Sequence, residues 1–168
     1  QNDAQTMTIP SRRTKLQGAT PTTPGLTAAH SAWLAVVRAY NLCDAVLGER
    51  LAALGLRTSE HEVLLNLLLY PGATQQNLAA HSVLAKSVMS AQVSRLEQAG
   101  YVQRRADPHD ARRWRLHLTS AGARLARKSL AAQLEVVQAM MAGADASTLA
   151  MLESVSGQAI LALETMRG

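Results

Sequence analysis

The stretch Asp107-Pro108-His109-Asp110-Ala111-Arg112-Arg113-Trp114-Arg115-Leu116-His117-Leu118-Thr119-Ser120-Ala121-Gly122 decides how this chain is read. In its second half Trp114, Leu116 and Leu118 alternate with Arg113, Arg115 and His117, the period of a half-buried strand. Tyr101-Val102-Gln103-Arg104-Arg105 is the expected partner strand, across a loop of about seven residues (106–112) that carries Asp107-Pro108. A lone two-stranded ribbon is marginally stable in water, so this one must lean on helices. Thr119 is placed to cap the helix that follows it.

Helices are indeed what the pattern gives on either side. Over 85–99, Met89, Val93 and Leu96 fall at i, i+4 and i+7 and face inward, and Gly100 stands behind the helix. Ser87, Ala91 and Ser94 lie opposite, with Ser90 beside them, and such small side chains let a helix approach another surface closely. Before it, Pro71-Gly72 stop one helix and Thr74 caps a short one carrying Leu78 and Ala79, followed by a turn near 82–84. The stopped helix opens at Thr58 and Ser59, with Ser59 and Glu62 at capping-box spacing, and buries Val63, Leu64, Leu67 and Leu68. Further out, Trp33, Val37, Tyr40, Leu47, Leu51 and Leu54 mark one face of a long helix over 27–54, with Gly55 as its C-cap. Two more helices are expected over 120–141 and 146–166, broken at Ala142-Gly143-Ala144-Asp145. Residues 1–25 contain Pro10, Pro21 and Pro24 and show no period, so they read as a flexible arm.

The composition suits a packed core: 48% of the 168 residues are apolar and 17% charged, with two Trp, three Tyr and no Phe. No uninterrupted apolar run approaches the ~18 residues of a bilayer span, and the polar N-terminus does not read as a signal peptide. A single cysteine excludes an intramolecular disulfide framework. The expectation is a soluble cytoplasmic protein with no membrane partner.

Charge is concentrated. The window 86–128 holds ten basic residues against Glu97, Asp107 and Asp110, a net +7, which leaves −2 for the rest of the chain. A polyanion is the partner such a window suits, the alternative being a solvated basic face. Short helix, turn, helix, then an Arg-rich ribbon is the order of a winged helix-turn-helix DNA reader. In that arrangement Lys86, Ser87, Ser90, Ala91, Ser94 and Arg95 belong to the helix offered to the major groove. Thr74, Gln75 and Gln76 open a helix beside a phosphate, and Arg112 and Arg113 tip a wing suited to the negative minor groove.

The same residues resemble the MarR (multiple antibiotic resistance regulator) family of transcription factors. The resemblance is carried by the wing run from Asp107 to Arg113, by Leu118-Thr119-Ser120-Ala121-Gly122, by Leu78-Ala79, and by Arg95-Leu96-Glu97 with Gly100-Tyr101-Val102. It implies a mostly α fold with a small β-hairpin wing, a winged helix-turn-helix with long N- and C-terminal dimerisation helices. The division it suggests is an arm over 1–25, a first dimerisation helix over 26–56, a DNA-binding domain over 57–119 and C-terminal dimerisation helices over 120–168. It further implies a homodimer on double-stranded DNA, Arg112 in the minor groove, and Asp110 supporting the wing through an ion pair. Two departures stand out: His109 occupies a usual arginine position, and Ala85 replaces the usual helix cap.

Nothing in the sequence announces catalysis. His30, His61, His81, His109 and His117 include no pair at metal-ligand spacing, and no phosphate loop, nucleophile elbow or dinucleotide fingerprint is present. No catalytic residue, metal or cofactor is expected. Cys43 has no cation one turn away to stabilise a thiolate and reads as a structural thiol, with redox sensing through it as the alternative. Members of the family commonly respond to a small, often aromatic or phenolic, ligand. Trp33, Arg38 and His61 are the expected effector residues, supplying an apolar plate, a cation and a hydrogen-bonding group. The function expected is a repressor that such a ligand releases from a pseudo-palindromic operator. The alternative is an architectural protein indifferent to DNA sequence.

Overall fold

The computed structural model describes residues 28–82, 84–110 and 112–167. The expected arm over 1–25 lies outside them. The elements run α1 (Ala28–Ala52), α2 (Thr58–Leu69), α3 (Gln75–Ala80), α4 (Lys86–Gln98), β1 (Val102–Ala106), β2 (Trp114–Leu118), α5 (Ser120–Met141) and α6 (Ala146–Arg167). The chain divides into two units, residues 1–36 and 37–168. In the first, the described residues are the opening turns of α1, where the His30 and Trp33 rings lie 5.5 Å apart and Trp33 is exposed.

The second unit is built on aliphatic side chains, as the lack of Phe requires. Val63, Leu64 and Leu67 of α2, Leu78 of α3, Met89, Val93 and Leu96 of α4, Val102 of β1 and Leu116 of β2 form one buried cluster. It also takes in Leu47 and Leu51 of α1, Leu56, and Ala126 of α5. α2 packs against both α4 and α5, so the reader hangs on the first C-terminal helix. β1 and β2 pair antiparallel in the register Val102 with Leu118 and Ala106 with Trp114. The turn before α3 joins this ribbon: Gly72 N–H donates to Leu116 O and Leu116 N–H to Ala73 O, both at 3.0 Å.

The punctuation acts as the sequence suggests at most junctions. Gly55, Gly72 and Gly100 all adopt positive φ, where a β-carbon would be strained. Thr74 accepts a hydrogen bond from Asn77 N–H at the start of α3, and Thr119 accepts one from Gly122 N–H at the start of α5. Gly122 also has a packing reason to be glycine, since a β-carbon there would overlap the Tyr101 carbonyl oxygen.

Three local expectations need correction. The Ser59/Glu62 capping box does not form. The N-cap is Arg57, two residues before Ser59, so Glu60 accepts from the Arg57 N–H at 2.9 Å, and Glu62 instead accepts from the Ser82 hydroxyl. Trp114 shares the face of Leu116 but is not covered as Leu116 is. It is 51% exposed, because it pairs with Ala106 at the far end of the ribbon, beyond the cover of the helices. On α1 the core reaches only Leu47 and Leu51, while Tyr40 and Leu42 are exposed and Cys43 is half-buried.

α6 is the outlier: none of its 22 residues is buried. It is long and apolar enough to cross a membrane, by length and composition only. Glu153 and Glu164 interrupt its apolar run, which qualifies the expectation that no spanning stretch exists.

Candidate nucleic-acid interface

The reader is organised around α4. With Met89 and Val93 fully buried and Leu96 nearly so, the helix has no rotational freedom about its axis, and its opposite face is fixed toward solvent. Lys86, Ser87 and Ala91 are exposed there, and Ser90 and Ser94 are half-buried along its edge. Ala85 gives the helix no side-chain cap, so the first turn keeps its backbone N–H groups and Lys86 side by side at the positive end of the helix dipole. Arg95 is placed differently. Its Nε lies 3.2 Å from Oε1 of the buried Glu60, so it ties α4 to α2 as well as bordering the outer face. A parallel strut ties α4 to the ribbon, Arg104 Nε donating to Glu97 at 2.9 Å.

α3 supports this face from below. Thr74 and Gln75 are half-buried and Gln76 and Asn77 exposed, and the Thr74 hydroxyl is already engaged as the cap. Thr74, Gln76, Asn77, Arg113, Trp114 and Arg115 line a polar cavity of about 280 Å³ between α3 and the ribbon.

The wing carries the most exposed cations. The Arg112 side chain is 96% exposed, and its neighbour Arg113 is largely so. Asp110 shapes the tip through the backbone, its Oδ1 accepting from Arg112 N–H at 3.1 Å while its carbonyl accepts from Arg113 N–H at 2.9 Å. The guanidinium pairs are looser, 3.7 Å from Arg112 Nε and 3.4 Å from Arg113 Nε. Surface pairs at such distances contribute little stability, so both guanidinium groups stay available to an outside anion.

Asp107, counted in the sequence only as a charge, has a larger structural part. Its side chain is almost wholly buried; Oδ1 accepts from His109 N–H at 2.9 Å and Oδ2 from Arg115 Nε at 2.8 Å. The His109 N–H first, and then Arg115, hold its carboxyl below the usual carboxylate range. The spacing from Asp107 to His109 is that of an Asx turn, a signal present in the sequence. Desolvation first, and then the nearby cations Arg105 and Arg115, push His117 below the ordinary histidine value.

The three expected effector residues occupy different settings. Trp33 and Arg38 are exposed on α1, whereas His61 on α2 is only 3% exposed. Neither His61 ring nitrogen makes a hydrogen bond of ordinary geometry. Burial lowers its pKa, and the nearby Gln133 amide and Glu62 only partly oppose that. Arg38 and His61 do not line the apolar cavity of about 300 Å³ between α1 and α5. Leu42, Cys43, Val46, Val136 and Met140 do so, with the Arg50–Glu135 ion pair at its edge. Among the described residues no group of His, Cys, Asp or Glu converges on a metal position.

Known proteins resemble this chain at several levels. A family model described as MarR family matches residues 54–113, from the end of α1 to the wing tip. A curated HTH-type transcriptional regulator of Bacillus cereus is 30% identical over 105 residues, covering 61% of this chain and 67% of the relative. Among solved structures, a mutant MarR from E. coli complexed with operator DNA superposes with a TM-score of 0.69 at 19% identity, over 82% of this chain and 99% of that one. The PcaV transcriptional regulator from Streptomyces coelicolor, in complex with its natural ligand, gives a TM-score of 0.65 at 24% identity, over 84% and 98% of the two chains.

Proposed function

Because the chain belongs to the MarR family of winged helix-turn-helix, DNA-binding transcription regulators rather than enzymes, we propose that it is a cytoplasmic homodimeric repressor that a small ligand releases from a pseudo-palindromic operator. One observation carries the reading: α4 turns a face of small side chains outward beside a wing whose Arg112 is 96% exposed. Lys86, Ser87, Ser90, Ala91 and Ser94 reach base edges in the major groove, with Arg95 at the border. Thr74 and Gln75 sit against the phosphate backbone, and Arg112, steered by Asp110, enters the minor groove with Arg113 beside it.

Two copies reading half-sites roughly 34 Å apart need a rigid joint, and the long helices supply apolar surface for one. Exposed Leu152, Val155, Ile160 and Leu163 on α6 support this. Release then follows from a ligand that favours a different spacing of the two readers, which requires differential affinity of several kcal/mol. The complex of PcaV with its natural ligand supports this class of response. Of the effector residues proposed, His61 brings a buried ring without ordinary hydrogen bonds, Arg38 a cation and Trp33 an aromatic face.

Fluorescence anisotropy against DNA from the protein's own upstream region, beside a scrambled duplex at two salt concentrations, tests the proposal. Site-specific regulation requires a preference of about 10³-fold or more. Equal, steeply salt-dependent affinity for both would instead favour an architectural protein indifferent to sequence. Arg112→Ala is expected to cost ~1–3 kcal/mol of specific binding with the fold intact by circular dichroism.

A further inference from the structure

Asp107 and Arg115 face one another across the base of the wing, and their contacts extend beyond it. Arg115 Nε donates to Asp107 Oδ2 at 2.8 Å, while Arg115 Nη1 reaches the Gly72 carbonyl at 3.4 Å in the turn before α3. The backbone on each side of Arg115 is tied to the same turn, through the Leu116 bonds to Gly72 and Ala73 and a bridge to Thr74. Asp107 also fixes the first residues of the loop, accepting from His109 N–H and donating its own N–H to the Arg113 carbonyl at 2.9 Å. One buried carboxylate therefore joins the wing loop to Arg115, and Arg115 joins it to the turn that leads into α3. The described tip residues are turned by Asp110 on their own backbone, and their side-chain ion pairs to it are loose, at 3.4 Å and 3.7 Å, so the orientation of the tip against α3 is inherited from this base.

We infer that the Asp107–Arg115 pair is a positioning latch for DNA binding, fixing the angle of the wing against α3 and hence where Arg112 arrives when α4 occupies the major groove. The inference rests on the minor-groove reading of Arg112. It assigns Arg115 a role distinct from the other cations of the basic window, acting through Arg112 rather than on DNA. A wing freed from the latch samples many orientations, and binding must then order it. Asp107→Asn separates the latch from simple electrostatics. It makes the protein more positive, which on charge alone strengthens binding to DNA. The latch demands the opposite.

The test uses the full chain and a duplex that the wild-type protein selects from a randomised pool. Affinity is followed by anisotropy across a salt series for Asp107→Asn, Arg115→Leu and Arg112→Ala, alone and combined. Asp107→Asn and Arg115→Leu are each expected to weaken binding by about tenfold, as loss of a charge-assisted hydrogen bond does. The slope of log affinity against log salt should stay unchanged. In the Arg112→Ala background either substitution should cost less than about twofold, because coupled residues do not add. Should Arg115→Leu unfold the wing by circular dichroism, Arg115→Lys, which keeps the charge and loses the fork geometry, should give an intermediate loss.

Three results would overturn the latch. Full additivity with Arg112→Ala is one. A salt slope reduced by about 0.9 in Arg115→Leu is another, since it makes Arg115 itself a phosphate contact. The third is an Arg112→Ala protein that binds as wild type while the latch variants weaken. That result removes Arg112 from the minor groove, and with it the premise of the inference.

Discussion

The winged reader and α6 draw on the same Leu, Val, Ala and Met, which α6 holds in the higher proportion, yet one is finished within a single chain and the other is not. In the reader, Val63, Leu64, Leu78, Met89 and Val93 are inaccessible to solvent, and buried acids such as Glu60 and Asp107 have basic partners. In α6 no residue is buried, and Leu161 alone is 66% exposed. Apolar content therefore says that a segment needs cover, and the register of that content against its neighbours says whether the chain supplies it. A monomer rarely leaves an apolar surface of this kind open to water, which is the physical basis for proposing that a second copy closes it.

The comparison is broken most forcefully by identical changes on its two sides. Leu64→Ala should cost about 2–5 kcal/mol in thermal or denaturant unfolding, by lost transfer energy plus a cavity. Leu161→Ala should leave the stability of the individual chain within about 0.5 kcal/mol and act, if anywhere, on association. Similar losses for both in dilute monomeric protein would mean that α6 is already packed within its own chain.

A smaller effect sharpens the picture at the junction of reader and α5. His61 is buried and its pKa is lowered, so the folded protein holds the neutral ring while the unfolded chain takes up a proton at about 6.5. Stability is then complete above that value and declines as pH falls from 6.5 toward the depressed folded pKa. His117 has the same direction and adds to the decline. Urea unfolding midpoints measured between pH 7.5 and 5 should fall for wild type and fall less for His61→Gln. An identical decline in the variant would place the acid sensitivity elsewhere.

Much of the reader was legible in the sequence because its signals are local. The i, i+4, i+7 set of Met89, Val93 and Leu96, the caps Thr74 and Thr119, and the period of two around Leu116 each need only a few neighbouring residues. What escaped depended on distance in space. Glu62 abandons its local capping partner for Ser82, and the Glu60–Arg95 strut exists only once α2 and α4 pack. The Asp107–Arg115 contact requires the hairpin register, which the loop length alone does not set. Trp114 obeys the alternation of its strand and is exposed nonetheless, since alternation assigns a face without saying how far the helices extend beneath it. The burial of His61 has no local signal either, since α5, which packs on α2 and brings Gln133 near the ring, comes some seventy residues later.

The pairing of two chains through α6 is tested most directly by the mass of the protein in solution. Sedimentation equilibrium of the purified chain, free of DNA, should give a particle of twice 18.0 kDa. Leu161→Ala should shift that species toward the single chain. A wild-type protein that sediments at 18.0 kDa at micromolar concentration would contradict it, leaving one reader per particle and α6 without the partner proposed here.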